Sequence, residues 1–168
     1  MTHRWTAGTR LIADQIDRAR WRVTLTYRCV PTFSLGLEYN PLSGQVSPLA
    51  NWLLVQEGER RPALMLGTSS DRIGTPFGQS YYLTVAKDVS PWVKFPLAPY
   101  AGAAYGTYDD KTRAIGGLSS DFTERWNGQL IFDGVHLHWL LNYTRGRHVF
   151  SGILVNGHDP GVSYSVVF

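Results

Sequence analysis

His136 and His138 stand one residue apart, with Asp133 just upstream. Side chains two apart on a strand point to the same face. The spacing therefore predicts two imidazoles side by side near a carboxylate, a set that suits a divalent ion such as Zn²⁺. His148, His158 and Asp159 come from neighbouring strands or turns. No third ligand is fixed by spacing, and the two histidines serve equally well as polar positions alternating with Val135, Leu137 and Trp139. Catalysis has less to build on. There is no GxSxG elbow, HExxH helix or phosphate-binding glycine loop. Ser119 or Ser120 could be combined with His136 or His138, but so many serines allow that in almost any chain. Gly74-Thr75-Pro76-Phe77-Gly78 is a loop without the strand–glycine-loop–helix context that a phosphate cradle needs. Nothing here calls for a cofactor, and an enzyme is not the expected reading.

The charged residues that matter most are Arg22, Arg28 and Glu38. They fall on the polar side of two alternating segments. In the first, Trp21, Val23, Leu25 and Tyr27 share one face, and Arg22, Thr24, Thr26 and Arg28 the other. In the second, Phe33, Leu35, Leu37 and Tyr39 oppose Thr32, Ser34, Gly36 and Glu38. Joined by Cys29-Val30-Pro31, these two read as a β-hairpin. Small polar residues with an occasional Arg and Glu suit a crowded lumen in which opposite charges pair.

Similar segments follow along the chain: roughly 48–56, 62–69, 79–88, 97–108, 112–122, 126–132, 135–143, 147–156 and 161–168. Turn residues separate them, Asp133-Gly134 most tightly. Thr9 to Arg20, where Leu11, Ile12 and Ile16 recur at helical spacing, is the only helical candidate. Many short strands at regular intervals predict an all-β fold. The expected architecture is an antiparallel up-and-down β-barrel of 10–12 strands with a short N-terminal helix. It forms one domain over 1–168, helical in 1–20 and stranded in 21–168.

Composition narrows the function classes. Only 17% of residues are charged, against about 25% in ordinary soluble domains. Lysine occurs three times and arginine thirteen, and there are six Trp, nine Tyr and seven Phe. A GC-rich genome would also favour Arg over Lys. The net charge of +3 is mild and the arginines form no run, which argues against nucleic-acid binding. The single cysteine, Cys29, leaves no internal disulfide and no CxxC pair. No apolar run is long enough for a transmembrane helix, and no amino-terminal signal peptide is visible.

Aromatic residues fall at strand ends: Trp21 and Tyr27, Phe33 and Tyr39, and Trp139 and Tyr143 on the face Val135, Leu137, Trp139, Leu141, Tyr143. That is where a membrane–water interface selects them. The segment Asp159-Pro160-Gly161-Val162-Ser163-Tyr164-Ser165-Val166-Val167-Phe168 alternates apolar and polar and ends on Phe168. It resembles the closing strand of Gram-negative outer-membrane β-barrels, which ends in Phe and carries the assembly signal. The segments 35–41 and 66–76 resemble hairpins of such proteins, including the YjbH-type barrels associated with exopolysaccharide export.

The resemblance implies a membrane-embedded structural or transport role with no catalytic residues to carry over. It makes this a small pore or structural envelope protein of the outer membrane, whose partners are the lipid bilayer and the outer-membrane assembly machinery. In that setting Arg22, Arg28 and Glu38 are lumen residues that set electrostatics or plug the barrel by pairing. A barrel of this size has a narrow interior that side chains can largely fill. Two features depart from the pattern: counting from Trp21 gives eleven strands, where single-chain bacterial barrels have an even number, and the signal peptide is not visible. The alternative is a soluble β-barrel or sandwich accessory subunit, binding a ligand or docking on a larger assembly. The two readings differ in which face of the strands looks outward.

Overall fold

The computed structural model describes residues 4–168. Met1 to His3, the start of the expected helical segment, lie outside the described residues. Twelve antiparallel strands run in chain order: β1 (Trp5–Ile12), β2 (Trp21–Val30), β3 (Phe33–Asn40), β4 (Gln45–Val55), β5 (Ala63–Ser70), β6 (Gln79–Ala86), β7 (Ala98–Gly106), β8 (Lys111–Asp121), β9 (Trp126–Phe132), β10 (Leu137–Arg145), β11 (His148–Val155) and β12 (Asp159–Val167). Each pairs with its sequence neighbours, and β1 pairs with β12, so the sheet is a closed barrel. Closure satisfies every strand edge. Two single-turn helices, α1 (Asp17–Arg20) and α2 (Ser90–Val93), lie in connections.

Of the helix expected over Thr9–Arg20, only the last turn forms, as α1. The first part of that segment belongs to β1, which pairs with β2 from Trp5↔Tyr27 to Leu11↔Trp21 and with β12 from Thr6↔Val167 to Ile12↔Gly161. Leu11 and Ile12 suggest one helical stripe because they are adjacent and apolar. In the sheet they go to opposite faces: Leu11 is 49% exposed and Ile12 only 1%. With β1 counted, the strands number twelve and the parity conflict disappears.

The barrel has a near rim, where Trp5 exchanges backbone hydrogen bonds with Phe168 at 2.9 Å in both directions, and a far rim formed by the β1–β2 connection and the β3–β4, β5–β6, β7–β8, β9–β10 and β11–β12 turns. Turn chemistry matches strand twist. Gly146 takes φ +61 in the two-residue β10–β11 turn, and Asn156 and Gly157 take φ 54 and 78 between β11 and β12. The β9–β10 connection runs from Asp133 to His136, longer than the Asp-Gly pair alone predicts.

Alternation along the strands sorts side chains, sharply in β2 and β3 and less so in β9–β11, where Ile131, Leu140 and Ile153 turn inward. Trp21, Leu25, Leu37, Trp139 and Leu141 are exposed on the outer face, with Phe33 half-buried in the same row. The inner face carries Gly8, Thr24, Thr26, Gly36, Asn142, Ser163 and Ser165. Only four apolar residues are buried among those described, namely Ile12, Ala19, Leu49 and Val155. The barrel therefore has no hydrophobic core of the kind a water-soluble domain of this size builds.

Inward tyrosines fill space left by glycines on the adjacent strand. The Tyr82 ring lies over Gly67, where an added Cβ would come within 2.5 Å of it, and its hydroxyl donates to Asn51 Oδ1 at 2.6 Å. Tyr100 covers Gly117 in the same way. Ring over glycine is a recurring way to pack a sheet face that must stay regular.

Candidate functional site

The inner wall near the far rim gathers most of the charge. Across β1 and β2, Arg10 stands directly opposite Arg22. Across β2 and β3, Thr24 stands opposite Glu38. Glu38, 1% exposed, meets Arg22 through an Nε–Oε2 contact of 2.6 Å, and its other oxygen accepts from Asn40 Nδ2 at 3.2 Å. Arg22 and Glu38 thus form a buried ion pair on the lumen wall, in contact but not aligned as a hydrogen bond. Arg28 continues the inward row of β2 toward the near rim, where it is exposed. It does not join the pair.

Arg18 has no precedent in the sequence pattern, yet it closes the far rim. It projects from α1, and its guanidinium donates to three carbonyl oxygens of the β5–β6 loop: Thr75 at 2.5 Å, Arg72 at 2.6 Å and Asp71 at 3.1 Å. It also donates to Thr75 Oγ1 at 2.8 Å. Burial pushes this guanidinium below the usual arginine value, and Glu38 and Asp71 pull the other way. Gln15 extends the latch by donating to Asp159 Oδ2 at 2.6 Å. Two connections far apart in sequence are thus tied over one mouth. The only sequence clue was an Arg beside apolar Ala19 in a segment that looked helical.

Beneath the latch lies a cavity of about 530 Å³, lined by Arg10, Arg18, Arg22, Asp71, Asp133 and His138, by small residues such as Gly8, Thr24, Ser163 and Ser165, and by the apolar Leu49, Ile131, Leu140 and Ile153. Side chains do not fill the interior as barrel size alone suggested. A second space of about 180 Å³ lies beside it, under Tyr82 and Tyr100.

The histidine pair is not assembled as the spacing predicts. β10 begins at Leu137, so His136 belongs to the preceding connection and is exposed, while His138 is buried on the inner face. Both ring nitrogens of His138 are engaged. Nδ1 accepts from the Asn156 N–H at 3.3 Å, which leaves Nε2 to donate to Asp133 Oδ2 at 2.9 Å. Asp133 Oδ1 accepts from the backbone N–H groups of Val135 and His136 at 2.9 and 2.8 Å. Burial raises the affinity of this carboxyl for a proton, but those donors outweigh it and hold Asp133 below the ordinary carboxylate value. The set staples the β9–β10 turn to the start of β10 and to the β11–β12 turn. Among the described residues no three His, Cys, Asp or Glu side chains are placed to hold a metal ion.

His158 contacts Asp159 on the far rim, and His148 bonds the Tyr164 hydroxyl at 2.7 Å on the outer face near the other rim. Neither reaches His138. Ser119 donates nothing to a histidine; its hydroxyl accepts from Asn127 Nδ2 at 2.8 Å. The buried Ser120 hydroxyl has no partner. Comparison with known protein families and with curated proteins finds no match for this chain.

Proposed function

We propose that this barrel spans a membrane, as an outer-membrane-type structural protein or small pore. The observation that carries the reading is the direction of the apolar face. The outward rows hold Leu25, Leu35, Leu37, Leu83, Leu141 and Val162, all at least 44% exposed. In water such a surface would aggregate; in lipid it is the required one.

Aromatic rings mark both edges of that band. Trp5 packs on Tyr27 with centroids 4.7 Å apart, and Trp126 on Tyr143 at 4.9 Å, near one rim. Trp21, Tyr39, Tyr81 and Tyr105 stand near the other. Two such belts fit the two interfaces of a bilayer. The closed strand edges, with each strand paired on both sides, meet the other demand of a hydrocarbon environment.

The latched far rim favours a narrow or gated passage over free diffusion of large solutes. The narrower resemblance to exopolysaccharide-associated barrels adds no residue to this reading. A soluble accessory barrel would need its apolar rows inside or a partner that covers the outward ones. The test is phase partitioning and extraction of the expressed full chain from membranes. The protein should enter the detergent phase and resist salt and alkali. Recovery as a folded monomer in plain buffer would sink the membrane reading.

A further inference from the structure

We propose that the lumen beneath the far rim is an oxyanion site, built by Arg10, Arg22 and Arg18 and suited to a phosphate or carboxylate group. The argument is one of unmatched charge. Arg10 and Arg22 are directly opposed on the inner face, and like charges in that register repel. The one carboxylate on this stretch of wall, Glu38, is used by Arg22. Among the described residues Arg10 makes no hydrogen bond and no ion pair, and its Nε is buried without a partner. Arg18 is held by carbonyl and hydroxyl oxygens, which satisfy its N–H groups but bring no negative charge.

The other carboxylates on the cavity wall are hydrogen-bonded elsewhere and make no ionic contact with Arg10. Asp71 accepts from the backbone N–H groups of Arg72 at 2.8 Å and Tyr108 at 3.1 Å, and Asp133 is engaged by His138 and its own turn. Arg72 turns away to Asp109 at 3.7 Å. Arg10 is thus left facing the cavity with no ion pair, and Arg18 beside it has only the Asp71 carboxylate of the loop it latches, and Glu38 already paired with Arg22, to offset its charge. Buried charges persist when paired, so the cavity is built to receive the missing anion. A guanidinium fork matches two oxygens of a carboxylate or phosphate far better than it matches a spherical halide. Gly8, Thr24 and Ser165 keep the space beneath the arginines open. The site needs only a closed barrel, so its failure and the failure of the membrane reading are separate results.

The test uses the full chain folded in detergent micelles. Sodium phosphate, sodium acetate and sodium chloride are titrated at constant ionic strength, reading heat of binding and melting temperature. Phosphate, acetate or both should bind saturably and raise the melting temperature, and chloride should not. A response to phosphate alone assigns a phosphate-bearing ligand, and a response to acetate alone assigns a carboxylate. Arg10→Gln should weaken binding about tenfold or more. Without added oxyanion it should melt no lower than the wild type, because it sheds an unmatched buried charge. Arg145→Gln, on the near rim, should bind as the wild type does. No saturable response from the wild type, an equal response to chloride, or unchanged affinity in Arg10→Gln overturns the proposal. If Arg10→Gln does not fold, the wild-type titrations decide.

Discussion

Glu38 carries more of the lumen's electrostatics than any other residue. Among the described residues it is the one carboxylate in ionic contact with Arg10 or Arg22, it is 1% exposed, and Asn40 fixes its second oxygen. Removing one member of a buried pair costs more than the pair itself contributes, because the survivor keeps its charge in a poorly solvated place. Glu38→Gln leaves Arg22 opposite Arg10 with no carboxylate in ionic contact with either. It should lower unfolding stability by about 3 kcal/mol or more, measured by urea titration in detergent. A loss under about 1 kcal/mol would mean that water in the cavity already solvates the pair. Arg22, Arg28 and Glu38 were legible in the sequence as inward residues, since strand alternation alone assigns them a face. That Arg22 and Glu38 meet while Arg28 stands apart follows from strand register and position along the barrel, which alternation does not fix. Arg10 carries no such signal, and Arg18 only its place beside apolar Ala19. Their roles depend on β1 being a strand and on a loop reached only after the barrel closes. The His136–His138 spacing misled because it presumed that β10 begins two residues earlier than it does, and the Asp133 turn pulls His136 out of the sheet.

At the scale of elements, the strands with strict alternation were the legible ones. β2 and β3 show an unbroken apolar row against a polar one, and β9 runs from Trp126 to Phe132, where the pattern places it. β1 was hidden because Ala7 and Gly8 blur the contrast between its faces and Leu11-Ile12 mimics a helical stripe. Its pairing on both sides makes the barrel close, and β12 finds there the partner its alternation requires. The connection after β1 has its own task. Arg18 replaces water at the carbonyls of Asp71, Arg72 and Thr75, which holds the β5–β6 loop across the mouth. Arg18→Ala frees that loop without touching any strand pairing. Amide exchange at Asp71 and Thr75, whose N–H groups bond Gly78 and Arg72 within this loop, should quicken about tenfold or more. Exchange in β2 and β3 should stay as it is. Unchanged protection at both loop amides would show that the loop holds its shape alone and that Arg18 is no latch.

For the whole molecule, the decisive property is that all six tryptophans, Trp5, Trp21, Trp52, Trp92, Trp126 and Trp139, are exposed, from 38% to 64%. A soluble fold of this size would bury most of them, since each ring carries a large apolar area. Here none lies in the lumen. Trp5, Trp52 and Trp126 sit on the outer face near one rim, and Trp21 and Trp139 toward the other. An indole has an apolar body and one N–H, so it settles where hydrocarbon meets headgroup. If the barrel spans a bilayer, the rings lie at two shallow levels in the acyl region, one on each side. Reconstitution into vesicles of lipids brominated at defined acyl positions reads this directly. Emission should be blue-shifted relative to the unfolded chain and quenched strongly. Quenching should be stronger with bromines near the headgroups than with bromines near the chain ends, because the rings gather at the edges of the apolar band. Absence of quenching at every depth, with the protein folded, would place the tryptophans in water or in a protein interface. The barrel would then have to be assigned to a soluble assembly whose partner covers the same outward rows.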